Sequence, residues 1–167
     1  MVWIYQVETK EHQESVRQLF WEYLQWANNK VNEEFGVNFD IETMLEEDMQ
    51  NLDKFYPPEG LLLLAEVDNK VAGIACLRKI MNDVGEVKRM YVREAFRGEG
   101  IGRLLLDKLL EAAQDSGYPR VRLDSARFMV AAHSLYRSSG FHEIDPYPES
   151  EIPEEFQPNW IFMEKKL

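Results

Sequence analysis

A glycine-rich turn, placed between a strand-like run and an amphipathic helix, constrains this chain most. It reads Arg97-Gly98-Glu99-Gly100-Ile101-Gly102. The first four N–H groups of a helix have no partner within the helix, and the helix dipole adds about half a positive charge at that end. Glycine also lets the backbone adopt positive φ and approach a ligand closely. This arrangement predicts a pocket that binds phosphate through backbone N–H groups, with an ordinary glycine-rich turn as the alternative.

Two common phosphate-binding motifs are absent. A Rossmann fingerprint needs a glycine three residues after Gly100, where this chain has Arg103, and a P-loop needs Gly-Lys-Ser/Thr. The motif that remains is Arg-x-x-Gly-x-Gly. Although the chain has a net charge of −11, basic residues gather around this turn. They are Lys88, Arg89, Arg93, Arg97 and Arg103. This pattern favours a small polyanion as ligand and disfavours nucleic acid.

The hydrophobic pattern predicts a single domain over residues 1–167. Strands are expected at 3–7, 61–67, 71–78, 86–92, 121–124, 141–144 and 160–165. Helices are expected around 16–27, from about residue 40, from 101 to a stop at Gly117, and at 130–139. Asp68 and Asn69 favour a hairpin turn, residues 81–84 another turn, and residues 145–158 a long loop. A right-handed crossover makes strand 121–124 parallel to strand 86–92.

Three motifs in this order resemble the Gcn5-related N-acetyltransferase (GNAT) superfamily. They are the strand at 86–92, the glycine turn, and Ala132-x-x-Leu135-Tyr136-x-x-x-Gly140-Phe141. The resemblance implies the α/β acyl-CoA N-acyltransferase fold. In that fold a central, mostly antiparallel sheet contains one parallel strand pair that splays apart, and helices cover both faces. The resemblance also implies transfer of an acetyl group from acetyl-CoA to a primary amine of a small molecule or protein.

The resemblance assigns the donor to two backbone segments and implies no metal. Strand residues pair with the pantetheine, and the N–H groups of the turn hold the pyrophosphate. The cofactor-binding residues so implied are Met90, Tyr91, Val92, Arg97, Gly98, Glu99, Gly100, Ile101, Gly102 and Arg103. One position departs from the family, because Met129 stands where many relatives have an asparagine that contacts cofactor. Arg127 is the candidate that compensates for it.

Acetyl transfer to an amine needs a base and an acid, because an alkyl amine with a pKa near 10.4 is mostly protonated and the departing thiolate has a pKa near 8.5. The resemblance makes Tyr136 the acid, and a tyrosine that only packs is the alternative. It makes Glu86 the base, directly or through water, although many members use other residues. His133 is the second candidate base. Cys76, the single cysteine, lies in an apolar run and is expected to be a buried structural thiol, which favours direct transfer.

The acceptor is not identified by the sequence. Carboxylates of the first two helices favour a cationic amine at long range, among them Glu33, Glu34, Glu42 and Glu46. The chain shows neither a run of roughly 20 apolar residues nor a signal-peptide pattern, so we expect a cytoplasmic protein without membrane or nucleic-acid partners. A homodimer stays open. Two rival functions also stay open: a non-catalytic acyl-CoA-binding sensor, and a nucleotide-binding regulatory protein that uses the same turn.

Overall fold

The computed structural model describes residues 1–81 and 83–167. The strands in this part of the chain are β1 (Val2–Gln6), β2 (Leu61–Val67), β3 (Lys70–Met81), β4 (Val84–Val92), β5 (Arg120–Ala126), β6 (His142–Ile144) and β7 (Trp160–Lys166). The helices are α1 (Lys10–Phe35), α2 (Ile41–Gln50), α3 (Ile101–Asp115) and α4 (Val130–Ser138). The strands form one sheet in the order β1-β2-β3-β4-β5-β7-β6. The predicted mixed sheet is therefore confirmed.

The run of leucines in β2 explains why helices cover both faces of the sheet. Successive strand residues point to opposite faces, and Leu62 and Leu64 belong to a different apolar cluster from Leu63 and Ala65. On one face α3 buries its apolar stripe, and α4 adds to the same cluster. On the other face α1 and α2 pack. Since neither face of the central strands meets water, the whole run is apolar.

The hairpin between β2 and β3 forms as predicted. Val67 pairs with Lys70, and the two turn residues, Asp68 and Asn69, have φ of 49° and 63°. Short polar side chains tolerate this left-handed region, and such a turn matches the twist of the two strands. The next predicted turn, at 81–84, includes Asn82, which lies outside the described residues.

The parallel pair β4 and β5 diverges after a short stretch of pairing. Val84 pairs with Arg120, Gly85 with Val121 and Glu86 with Arg122, and pairing between the two strands ends there. Beyond that point β4 remains paired with β3 as far as Val92, and β5 with β7 as far as Ala126. A register shift against β3, at which Arg89 has a φ of 51°, bends β4 in this region. The splay expected between the parallel strands is thus present.

Several elements extend further than the sequence pattern predicted. α1 continues to Phe35, where Gly36 in the left-handed conformation caps it and donates its N–H to the Asn32 carbonyl at 2.9 Å. The polar residues after Ala27 hid this extension. β3 runs on to Met81, and the loop at 145–158 contains a 3-10 turn, Glu154–Asn159. Within the described ranges, none of the helices is both long and apolar enough to span a bilayer.

Candidate active site

A cavity of about 310 Å³ lies where β4 and β5 diverge. Its walls come from α1, α2, β4, β5, α4 and the β6–β7 loop (residues 145–159). Apolar side chains such as Leu24, Val31 and Trp160 line it together with a few charged ones. The charged residues in the wall are Glu47, Lys88, Arg89, Asp124 and Glu151. A mostly apolar cavity of this size with a few convergent polar groups suits a small molecule.

The glycine turn presents a row of free backbone donors. Gly98 and Gly100 have φ of 84° and 80°, and α3 begins directly after them. Among the described residues, the N–H groups of residues 98–103 have no acceptor. The N–H of Arg97 does have one, the Glu94 carbonyl at 3.2 Å. The expected row of donors therefore begins one residue later than the resemblance implied, because Arg97 closes a 3-10 turn.

The space above this turn is open, while its basic side chains are engaged elsewhere. A Cβ at Gly98 or Gly100 would meet no atom within 4 Å. The Arg97 guanidinium lies over the Trp26 ring, 4.9 Å from its centroid, and donates from Nε to the Val92 carbonyl at 2.8 Å. Arg103 donates to the hydroxyls of Ser138 and Ser139. The backbone donors, and not these two side chains, are therefore what the turn offers to an anion.

β4 connects the turn to the cavity. Met90 lines the cavity, and its Cε lies 3.6 Å from the position that a Cβ on Gly102 would take. Tyr91 and Val92 pair with Ile74 and Gly73 of β3. Their other strand edge, beyond Glu86, has no pairing with β5. An extended ligand could therefore run from the turn along this edge and into the cavity.

Tyr136 of α4 lines the cavity. Its side chain is buried, and its ring packs against Phe141 with centroids 5.8 Å apart. Among the described residues its hydroxyl has no hydrogen-bond partner. Burial, reinforced by Tyr23 and Asp124, raises the pKa of Tyr136 above its ordinary value. The phenol is therefore protonated at neutral pH and free to donate.

Glu86 lies behind the cavity and not in its wall. The side chain is completely buried, and both of its oxygens accept hydrogen bonds. Arg78 donates from Nε to Oε1 at 2.7 Å, and the Tyr147 hydroxyl donates to Oε2 at 2.6 Å. An acceptor amine in the cavity does not touch this carboxylate in the observed conformation.

A buried group of ion pairs forms the charged end of the cavity. Lys88 Nζ lies 2.7 Å from Glu151 Oε1 and 3.9 Å from Asp124 Oδ2. Arg89 binds Glu151 through Nη1 at 2.5 Å and Asp48 through Nε at 2.7 Å. Although burial alone would raise it, the charges of Lys88 and Arg89 hold the pKa of Glu151 well below its usual range. The pKa of Asp124 is instead raised, mainly by burial and against the charge of Lys88.

His133, the second candidate base, reaches the cavity only through Ser125. Its Nε2 lies 3.0 Å from the Ser125 hydroxyl oxygen, and Ser125 lines the cavity. Burial, together with the charge of Arg137, lowers the pKa of His133 below its ordinary value. The imidazole is therefore neutral at pH 7.

One expectation about the surroundings of the site needs revision. Arg127 donates from Nε to the Pro158 carbonyl at 2.6 Å, and so it is held by the β6–β7 loop and does not replace the missing asparagine at Met129. The helix carboxylates expected to attract a cationic amine at long range are exposed and lie outside the cavity wall; they are Glu33, Glu34, Glu42 and Glu46. Cys76, as expected, is buried in β3, and burial raises the pKa of its thiol.

The sequence reasoning missed Asp124 and Glu151. Asp124 alternates with the buried Val121 and Leu123, which is the pattern of a strand with one face in solvent, so the sequence indicated an exposed side chain. The structure instead pairs Asp124 with the buried Lys88. Glu151 also carried no signal, since it is one of several acidic residues in a proline-bearing loop.

Comparison with known proteins agrees with this geometry. Residues 13–141 match the family described as Acetyltransferase (GNAT) family. An N-acetyltransferase of Schizosaccharomyces pombe is 29% identical over 152 residues, which are 88% of this chain and 86% of the relative. The human N-acetylaspartate synthetase is 37% identical over 107 residues, 62% of this chain but only 35% of that protein.

A solved structure has the same fold. PaiA N-acetyltransferase from Thermoplasma acidophilum, in complex with coenzyme A, aligns with a TM-score of 0.75 at 20% identity and covers 100% of this chain and 99% of its own. The family match extends over most of the chain and includes the glycine turn and Tyr136. The chain therefore belongs to the GNAT family of acetyltransferases and is an acetyl-CoA-dependent N-acetyltransferase.

Proposed function

We propose that this protein transfers the acetyl group of acetyl-CoA directly to the amine of a small molecule bound in the cavity between β4 and β5. The observation that carries the proposal is the continuity of three features. A row of free N–H groups at residues 98–103 leads along the unpaired edge of β4 to a cavity that contains the free hydroxyl of Tyr136. Acetyl-CoA carries a diphosphate, an extended pantetheine arm and a reacting thioester carbonyl in the same order, so each part would meet one of these features.

Residues of the turn and of β4 hold the donor in this proposal. The N–H groups of residues 98–103 bind the diphosphate, and Met90, Tyr91 and Val92 offer backbone groups to the pantetheine. The open space above Gly98 and Gly100 supports the binding of a diphosphate at this turn. No metal takes part in the proposed chemistry.

Tyr136 acts as the acid that protonates the departing sulfur. Tyr136 lines the cavity, and its phenol is protonated at neutral pH, so it carries a proton that it can share with the sulfur as the thiolate forms. The absence of a protein partner among the described residues leaves this hydroxyl available to the donor. The ring position is supported by packing on Phe141.

Asp124 takes the proton from the acceptor amine. It lies in the cavity wall, and the burial that raises its pKa makes its carboxylate a stronger base than an exposed aspartate. Glu86 then has an indirect role: it fixes Tyr147 and Arg78 behind the cavity, and its charge contributes to the raised pKa of Asp124. His133, acting through Ser125, stays the second candidate base.

A small-molecule acceptor is favoured over a protein because the cavity ends in buried ion pairs. The relatives named N-acetylaspartate synthetase form, by that name, an acetylated amino acid, which also supports a small acceptor. Within this proposal the protein acts in the cytoplasm.

Release of free thiol from acetyl-CoA in the presence of a panel of primary amines tests the proposal. We expect turnover with some amines and, in Tyr136→Phe, a fall in kcat of about 10²- to 10⁴-fold with the thermal shift by acetyl-CoA preserved. Binding of acetyl-CoA without turnover on a broad panel would favour the sensor. Acetyl-CoA incubated alone with the enzyme should leave no acetyl group on Ser125; an acetylated serine would refute direct transfer.

A further inference from the structure

The cavity places two buried cations where an acceptor must bind. Lys88 and Arg89 both line it, and each is only 6% exposed. This local charge contrasts with the acidic outer surface of the chain. Buried cations need an anionic partner. In this structure the carboxylate of Glu151 contacts both Lys88 and Arg89.

Glu151 differs from the other two carboxylates in the group. Asp48 lies on α2 and also binds Lys54, while Asp124 lies on β5 and also accepts a hydrogen bond from Ser150. Both therefore have partners besides Lys88 and Arg89. Glu151 comes from the β6–β7 loop, and its side chain is 33% exposed. It is the carboxylate that can move away most easily.

The contacts of Glu151 have the geometry of a carboxylate-binding site. Arg89 donates to both of its oxygens, from Nη1 to Oε1 at 2.5 Å and from Nη2 to Oε2 at 3.2 Å. Lys88 adds a third contact at 2.7 Å. Two-pronged binding by arginine is the arrangement that recognises carboxylates with most geometric specificity. A free carboxylate can make the same contacts and preserve the charge balance.

We infer that the acceptor is an amine that carries a carboxylate, specifically an α- or β-amino acid, and that its carboxylate displaces that of Glu151 from Lys88 and Arg89. This inference rests on the proposed function. The amine then lies at Asp124, the proposed base. Lys88 Nζ contacts both positions, at 2.7 Å from Glu151 and 3.9 Å from Asp124, so the two acceptor groups are separated by a short spacer.

Matched acceptors test the inference on the unmodified protein. Each set contains an α- or β-amino acid, its carboxamide and the corresponding decarboxylated amine, assayed for thiol release from acetyl-CoA. We expect kcat/KM for the amino acid to exceed that of both analogues by at least about tenfold, the usual effect of losing a hydrogen bond to a charged group. Equal rates with the decarboxylated amine overturn the inference.

The variant Glu151→Gln gives a second, directional test. Because the substituted amide competes less well for Lys88 and Arg89, the KM for the amino acid should fall severalfold while that for the decarboxylated amine does not. Glu155→Gln, an exposed residue of the same loop, is the matched control and should leave both values unchanged. A rise in KM for the amino acid in Glu151→Gln would mean that Glu151 binds the acceptor amine, which overturns the inference.

A binding assay separates failure of the inference from failure of the proposed function. With coenzyme A present, the amino acid should raise the melting temperature of the wild-type protein and the carboxamide should not. If only amines without a carboxylate are turned over, the proposed function stands and the inference is wrong. If no amine is turned over but the amino acid still binds selectively, the carboxylate site stands and the proposed transfer is wrong.

Discussion

Replacement of Gly100 by glutamate tests the anion pocket that we propose for the donor. Gly100 precedes the first residue of α3 and has a φ of 80°, and a Cβ there meets no atom within 4 Å. The substitution therefore adds no clash within the protein. It does place a carboxylate among the N–H groups of residues 98–103, where a diphosphate would repel it. We expect Gly100→Glu to fold and to lose binding of acetyl-CoA.

The expected size of the effect follows from linkage. A ligand at 100 times its dissociation constant stabilises the folded state by about 2.7 kcal/mol. For a domain of this size, each kcal/mol of added stability raises the melting temperature by about 2–4 °C. Acetyl-CoA should therefore raise the melting temperature of the wild type by roughly 5 to 11 °C. Strain at a left-handed φ costs the variant about 1–2 kcal/mol of stability without ligand. The assay is a thermal melt of each protein with and without acetyl-CoA.

Gly117 provides a matched control at the opposite end of the same helix. It also has a φ of 80°, and a Cβ there also meets no atom within 4 Å. Gly117→Glu therefore introduces equal strain and equal charge away from the turn, and it should keep the full shift with acetyl-CoA. A full shift in Gly100→Glu, or loss of the shift in both variants, would refute the proposed pocket. A shift of the wild type by ATP or NAD but not by acetyl-CoA would favour the nucleotide-binding rival.

Two further predictions concern carboxylates of the cavity. Asp124→Asn should lower kcat by about 10²- to 10⁴-fold while acetyl-CoA binding is preserved. The variant should also lose the increase in rate with pH that ionisation of Asp124 gives the wild type. An unchanged pH–rate profile would assign the base to another residue. Because the pKa of Glu151 is lowered by folding, the stability that Glu151 contributes is present above its unfolded pKa of about 4.3 and is lost as the pH falls through the folded value. The difference in unfolding free energy between wild type and Glu151→Gln, measured in denaturant, should therefore shrink below about pH 4.3.

The fold was largely predictable because its signals are local. Asp68 and Asn69 specify the hairpin turn, and the apolar runs of β2 and β3 specify buried strands whatever surrounds them. The bounds of the elements were less predictable. α1 passes through the polar residues after Ala27 because Val31 is buried again one turn later, a tertiary contact that no local pattern reveals.

The candidate site divides in the same way. The glycine turn and Tyr136 could be found because backbone conformation and motif spacing are written in consecutive residues. The burial of Glu86 could not, because its partners Arg78 and Tyr147 come from β3 and from the β6–β7 loop. The meeting of Glu151 with Lys88 and Arg89 spans about 60 residues of chain and depends on the path of that loop.

This division has a physical basis in how the two substrates are held. In the proposed function the donor is bound mainly by backbone N–H groups, which are available in any sequence that forms the turn, and so the resemblance to the family locates the donor site. The proposed acceptor site is lined by side chains from β4, β5 and the β6–β7 loop, where a single replacement changes the local charge. The net charge of −11 predicts little there, since exposed charges are screened over about 8 Å in physiological salt, whereas Lys88 and Arg89 act through direct contact inside the cavity. We therefore expect that buried pair and the carboxylate of Glu151, and not the acidic surface, to set acceptor selectivity.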